Sequence, residues 1–254
     1  MIHRAHDYRH LIARWRAVAR QAGLKLRPLI RAGEYPLYFL QNPTLGAAGG
    51  IYLSAGIHGD EPGGTEALIA WAEKHGGQLA GKPLLIFPCL NPWGLINNQR
   101  RDEAGLDLNR IFHLDDHPLV RAMKQLVQPH RFELALMLHE DFDGQGLYLY
   151  EVPRDLPHWG EDLLAVAKRH IAIDPRHRID RRKATAGLIR RRFSRRVFEE
   201  IGYPEAIWLH QAHARRALTI ETPSEFALEQ RIRAHLAVLE ACLRRVTIGR
   251  EKTA

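Results

Sequence analysis

Four short apolar runs in this 254-residue chain each end in polar residues of chemical interest. Ile51–Ala55 runs through Gly56 and Ile57 into His58, Gly59, Asp60 and Glu61, and Leu84–Leu90 runs into Asn91-Pro92-Trp93-Gly94. Leu134–Leu138 meets His139, and Ala217–Ile220 meets Glu221. Runs this short and this uniformly apolar read as strands buried on both faces. Between them the apolar positions change to helical spacing. Tyr8, Leu11, Ile12, Trp15, Val18, Ala19 and Ala22 predict an amphipathic surface helix over 5–22. Ala67, Leu68 and Trp71 predict another over 63–75, ending near Gly76-Gly77. Further helices are expected at 118–128, with Pro118 in the first turn, and at 161–170. A long last helix follows Ser224, its candidate N-cap, with Leu228, Ile232, Leu236, Leu239 and Leu243 along one face. Residues 29–40 read as an earlier strand pair, and 142–158 as a loop and short strand beside the run that ends at His139. Residues 174–216 are the least legible part.

This alternation of strand and helix, without a Pro/Gly/Ser linker, repeat or low-complexity tract, describes one α/β domain over residues 1–254. A hydrophobic content of 45% is ordinary for a globular protein, and no apolar run has the length of a bilayer span. The N-terminus is interrupted by Arg4, Arg9, Arg14, Arg16 and Arg20 and does not read as a signal peptide. Cys89 and Cys242, the two cysteines, fall in predicted buried elements and are expected to be reduced core residues. A cytoplasmic protein is the expectation. The net charge of +8 is concentrated between Arg176 and Arg196, where ten residues are Arg or Lys. Such a run is a solvated face or a basic rim that attracts acidic substrates. No zinc-finger, RNP or helix-turn-helix pattern supports a nucleic-acid partner.

In an open α/β sheet, ligands bind outside the carboxyl ends of the strands, so His58, Glu61, His139 and Glu221 can converge although they are far apart in sequence. Two histidines and a carboxylate make a tetrahedral zinc site with one position left for water, and a further carboxylate is what a zinc hydrolase needs as general base. Taken alone, His58-x-x-Glu61 reads more readily as an ordinary ion pair on a surface loop. Asp107-Leu108-Asn109-Arg110 is more specific. Arg110 offers a planar fork for a carboxylate, Asn109 adds amide donors, and Asp107 can accept the second ring N–H of a metal-bound histidine. Arg100 and Arg101 lie between these motifs, and a cation there can stabilise an oxyanion.

In order and type, His58-x-x-Glu61, Asn91-Pro-x-Gly94, Arg100, Asp107-Leu-Asn-Arg110, His139 and Glu221 resemble the M14-type zinc metallocarboxypeptidases over about residues 48–226. The resemblance implies a three-layer α/β/α fold with a mixed, roughly eight-stranded twisted sheet. It implies one zinc per chain, held by His58, Glu61 and His139. Glu221 would be the general base that passes the proton to the leaving amine, Arg100 would polarise the scissile carbonyl, and Asn109 and Arg110 would hold the substrate's terminal carboxylate. Asn109-Arg110-Ile111-Phe112 resembles the succinylglutamate desuccinylase/aspartoacylase branch, although a single helix after Glu221 leaves no room for that branch's extra β domain. The mobile substrate-binding tyrosine of the peptidases has Tyr203 as its nearest counterpart. The side-chain specificity pocket would fall around Ala206-Ile207-Trp208.

The expected function is cleavage of a C-terminal amide bond in a small peptide-like substrate, a role that also suits a murein-peptide amidase. The alternative is an N-acyl amino acid deacylase. A carboxylate-binding module without catalysis is disfavoured because all three candidate ligands and the base are present.

Overall fold

In a computed structural model, residues 4–152, 156–190 and 202–251 are described. The last part of the basic stretch, 191–196, therefore lies outside the described residues. The helices are α1 (Tyr8–Gln21), α2 (Pro62–Leu79), α3 (Pro92–Asn97), α4 (Pro118–Val127), α5 (Gly160–Ala167), α6 (Glu205–Ala212) and α7 (Leu228–Glu251). The strands are β1 (Leu26–Ala32), β2 (Tyr35–Gln41), β3 (Gly50–Ala55), β4 (Leu84–Phe87), β5 (Phe132–Asp141), β6 (Tyr148–Glu151), β7 (Arg178–Ile179), β8 (Arg182–Lys183), β9 (Leu188–Arg190) and β10 (Ala217–Pro223).

Eight strands form one mixed sheet in the order β1-β2-β4-β3-β5-β10-β6-β9. The central four, β4, β3, β5 and β10, are parallel to one another. Their side chains alternate between two layers. Ile51, Leu53, Leu134, Leu136, Leu138, Leu218 and Ile220 pack under α1, α2, α5 and α7. Tyr52, Ala135, Met137 and Ala217 pack under α4 and α6. Both faces are thus covered, which is why these strands read as continuous apolar runs. This is the mixed, eight-stranded α/β/α architecture expected from the motifs.

After β3 the chain crosses through α2 to β4 on one side, then returns to β5 on the other. The strand order reverses there, and a crevice opens beyond the strand ends. Two glycines shape its rim. Gly56 adopts φ +64°, a left-handed conformation that favours glycine. A Cβ on Gly59 would lie 1.9 Å from the backbone carbon of Gly94, so the turn that carries His58 can rest against α3 only because residue 59 has no side chain. Asn91 caps α3 by accepting from the Gly94 N–H at 2.9 Å, and its amide reaches the Arg100 carbonyl at 3.4 Å.

Several boundaries differ from the sequence reading. α2 runs through Gly76-Gly77 to Leu79, because its apolar face continues to Gly76 and Leu79, both buried. Ser224 does not cap the last helix, which begins at Leu228; the Ser224 N–H donates instead to the Asp141 carbonyl. β5 and β10 extend past His139 and Glu221 by two residues each. β6 does not lie beside β5, since β10 is inserted between them. Cys89 and Cys242 are buried and free, as expected. Among the described residues, no helix is long and apolar enough to cross a membrane.

Two glycine substitutions should have opposite signs. Gly59→Ala forces backbone apart and should destabilise by about 1–3 kcal/mol. Gly77→Ala, in an exposed helical position with nothing within 4 Å, should stabilise by up to about 1 kcal/mol. Urea denaturation of both variants measures this; a neutral Gly59→Ala would contradict the close approach.

Candidate active site

His139 and Glu221 are partners in the register of β5 and β10, and both follow the alternation that faces α4 and α6. Glu61 precedes Pro62, the first residue of α2, and His58 sits three residues earlier in the Gly-rich turn. These placements bring three buried side chains together. The Nδ1 atoms of His58 and His139 lie 2.5 and 2.9 Å from the two carboxylate oxygens of Glu61. Asp107 Oδ1 meets the other ring nitrogen of His58 at 3.2 Å. Because a carboxylate only accepts, Asp107 holds a proton on Nε2 of His58, which leaves Nδ1, facing Glu61, as the nitrogen that would bind a metal on giving up its proton. Ligand atoms of His58, Glu61 and His139 all lie within 4.8 Å of one another. Two inward imidazole nitrogens and a carboxylate are a donor set that fits a divalent metal with a position to spare.

Burial alone would raise the Glu61 pKa, but His58 and His139 outweigh it and hold the carboxyl well below the usual range. Burial would likewise lower His58, yet Glu61 and Asp107 raise it. Asp107 is held low against its own burial by His58 and Arg100. Arg100 bridges the group, with Nη1 3.3 Å from Glu61 and Nη2 3.2 Å from Asp107. Glu221 differs. Burial, reinforced by Glu61 and Asp141, pushes it up to about 8 against the pull of His139.

Asp107 also caps a single 3-10 turn over Leu108–Arg110 by accepting from the Asn109 N–H at 2.9 Å. The Asn109 carbonyl oxygen Oδ1 accepts from the Glu205 N–H at 3.0 Å, which leaves the amide NH₂ as a donor. Residues 109–112 are fastened to the start of α6 by Tyr203 N–H to the Arg110 carbonyl, 2.7 Å, and Phe112 N–H to the Tyr203 carbonyl, 3.0 Å. Among the described residues no carboxylate lies within ion-pair distance of the Arg110 guanidinium.

A pocket of about 270 Å³ joins these parts. His58, Glu61, Arg100, Asn109, Arg110, His139 and Glu221 line it, and its apolar wall includes Met137, Val152, Ala206 and Ile207. Tyr203 is not among the lining residues. Its hydroxyl donates to Gln211, and its ring meets His113 edge-on. The phenols on the wall are those of Tyr148 and Tyr150. Tyr148 donates to Asp141 at 2.9 Å and Tyr150 to Asp180 at 3.0 Å. These two tyrosines were missed, although the alternation Tyr148-Leu149-Tyr150 already put them on one face. Arg176, taken with its basic neighbours, also lines the pocket and is ion-paired to buried Asp174 at 2.6 Å. Arg101 donates to the Gly105 carbonyl and is not a lining residue. Trp208 lies in the core stacked on Phe112, so of the expected specificity segment only Ala206 and Ile207 reach the pocket.

Residues 47–168, just under half of the chain, match the model of the succinylglutamate desuccinylase/aspartoacylase catalytic domain family. No curated protein matches the sequence significantly. A candidate metallopeptidase of Shewanella amazonensis has the same fold at 24% identity, with a TM-score of 0.83 over 95% of this chain and 94% of that one. A metallo-carboxypeptidase of Burkholderia cenocepacia aligns at 17% identity and TM-score 0.69, covering 95% of this chain and 69% of its own. Carboxypeptidase A of Helicoverpa armigera aligns at 14% and 0.67, covering 94% and 73%. The chain thus has the fold of the metallocarboxypeptidases. The family match and the fold agree with the M14-type resemblance of its motifs.

The raised pKa of Glu221 carries a stability consequence in metal-free protein. An unfolded glutamate loses its proton near pH ~4.3, whereas the folded one keeps it to about 8. Between these values the unfolded state binds fewer protons, so stability falls as pH rises. Glu221→Gln removes that loss. In chelator-treated protein the variant should match wild type at pH 4 and exceed it by more than about 1.4 kcal/mol at pH 8. A pH-independent difference in urea denaturation would contradict the assignment.

Proposed function

We propose that the chain is a zinc-dependent hydrolase that cleaves a C-terminal amide bond in a small peptide-like substrate with a free carboxylate. The observation that carries this reading is a single pocket. It holds the His58–Glu61–His139 donor set, a carboxylate in Glu221, and two outward donors, Arg110 and the Asn109 amide, with no carboxylate on Arg110 among the described residues. A zinc ion held by His58, Glu61 and His139 would supply Lewis acidity and a positive charge that favours ionised Glu221.

The protein's own residues divide the rest. Arg110 and the Asn109 NH₂ bind the terminal carboxylate and set the register of the substrate. Arg100, at the rim of the donor set, polarises the scissile carbonyl and stabilises the negative charge that develops on its oxygen. Glu221 accepts a proton from the attacking water and delivers it to the leaving amine. Met137, Val152 and Ile207 give the pocket an apolar wall against the substrate's side chain.

The match of residues 47–168 to the succinylglutamate desuccinylase/aspartoacylase domain favours a second reading, deacylation of N-acyl amino acids. The same residues serve it, with the amino acid's carboxylate on Arg110. Both readings require the anchor, and they differ in how much chain precedes the cleaved bond.

The test is kcat/KM for a free-acid peptide, its C-terminal amide and an N-acyl amino acid, in wild type and Arg110→Ala. A charged hydrogen bond is worth about 1.5–3 kcal/mol, so amidation should cost wild type roughly 10- to 100-fold. Arg110→Ala should lose as much on the free acid and little more on the amide. Preference for the N-acyl amino acid over the peptide selects the deacylase. Equal turnover of acid and amide by wild type would remove the carboxylate anchor and the preferred reading with it.

A further inference from the structure

Glu140 follows His139 in β5, and the strand's alternation turns it to the opposite face, toward α2 and α7. It is a buried carboxylate met by donors on every side. Arg231 Nη1 of α7 lies 2.7 Å from both oxygens. The Gly63 N–H donates to Oε2 at 3.0 Å, and the Thr222 hydroxyl to Oε1 at 3.1 Å. Thr222 Oγ1 also lies 3.0 Å from His235 Nε2. The hydroxyl has one proton and a carboxylate only accepts, so that proton goes to Glu140 and His235 Nε2 must be the donor to Thr222. The direction of the whole chain of hydrogen bonds is therefore fixed.

The places from which these donors come are the telling part. Gly63 is two residues beyond Glu61, Thr222 is next to Glu221, and Glu140 is next to His139. In the register of β5 and β10, Thr222 is opposite Glu140 and Glu221 is opposite His139. One carboxylate, next to His139 in β5, thus bonds to the two segments that carry Glu61 and Glu221. A Cβ on Gly63 would lie 2.2 Å from Glu140 Oε1, so the approach of α2 needs glycine there.

We propose that Glu140, held by Arg231, Thr222 and Gly63, is a positioning residue that locks the segments carrying Glu61, His139 and Glu221 in mutual register. Its oxygens are occupied by donors, so it is not a second general base. Stability alone is a weak reason for the arrangement, since a buried ion pair often contributes no more than a well-packed apolar replacement. Directional bonds to three separate segments do what apolar packing cannot, because they fix position to tenths of an ångström. The inference rests on reading His58, Glu61 and His139 as metal ligands.

The test pairs Thr222→Val, which keeps shape and removes the hydroxyl, with Thr222→Ser, which restores it. The readouts are the zinc dissociation constant by chelator competition, the melting temperature of the chelator-treated protein, and kcat and KM on whichever substrate is turned over. Loss of an outer partner of a metal ligand typically costs about 10- to 100-fold in affinity or activity. Thr222→Val should weaken zinc by at least about tenfold and lower kcat more than KM changes. Thr222→Ser should stay within about twofold of wild type, and the melting temperatures of the two metal-free variants should agree. Wild-type zinc affinity and kcat in Thr222→Val would overturn the proposal. So would a loss that serine fails to rescue or that follows the metal-free melting temperature. Wild-type protein that takes up no zinc would overturn the metal reading itself and the positioning role with it.

Discussion

The constraint on which this structure depends is the crowding of buried and half-buried carboxylates at one end of the sheet. Glu61, Asp107, Glu140 and Glu221 all gather at the carboxyl ends of β3, β5 and β10. A buried charge without a partner is costly, and each of these has a different answer to that cost. Glu61 is held between two imidazoles and touched by Arg100. Asp107 shares Arg100 and takes the outer nitrogen of His58. Glu140 has Arg231, a hydroxyl and a backbone N–H. Among the described residues Glu221 has no such partner, and its carboxyl is instead driven toward its protonated form, up to about 8. A dication at the Glu61 donor set would supply positive charge to that balance.

The sheet makes the crowding possible. Parallel strands bring residues at one end into line, and their period of two sends neighbours to opposite faces. His139 and Glu221 face the pocket, while Glu140 and Thr222, the next residues along, face α2 and α7. The same two strands therefore carry the pocket on one side and the bonds that register it on the other. The reversal of strand order at β3 opens the crevice, and the glycine contact between Gly59 and Gly94 draws its rim together.

Much of this was legible in the sequence because its signals are local. Short buried runs mark parallel strands, and the polar residues that end them fall near the carboxyl ends of those strands, within two residues for His139 and Glu221 and three for His58. The family resemblance added the layer architecture, which periodicity alone does not supply. What was not legible depends on contacts distant in sequence. Gly76-Gly77 reads as a stop, yet packing carries α2 past it to Leu79. Ser224 has the chemistry of a cap, but its backbone still belongs to the sheet end, bonded to the Asp141 carbonyl, and the helix begins only at Leu228. Tyr203 stands near the spacing of a mobile tyrosine, but its phenol turns to Gln211, and the pocket's phenols come from β6. Arg176 was indistinguishable from its basic neighbours until Asp174 fixed it at the pocket wall.

The central claim is that the two imidazoles and Glu61 form one metal site, and metal stoichiometry tests it most directly. Protein stripped with chelator, reloaded with zinc and freed of excess should contain one zinc per chain by elemental analysis. His58→Ala and His139→Ala, shown to be folded by circular dichroism, should each lose it, whereas Tyr203→Phe should retain it. Full zinc in both histidine variants would contradict the account.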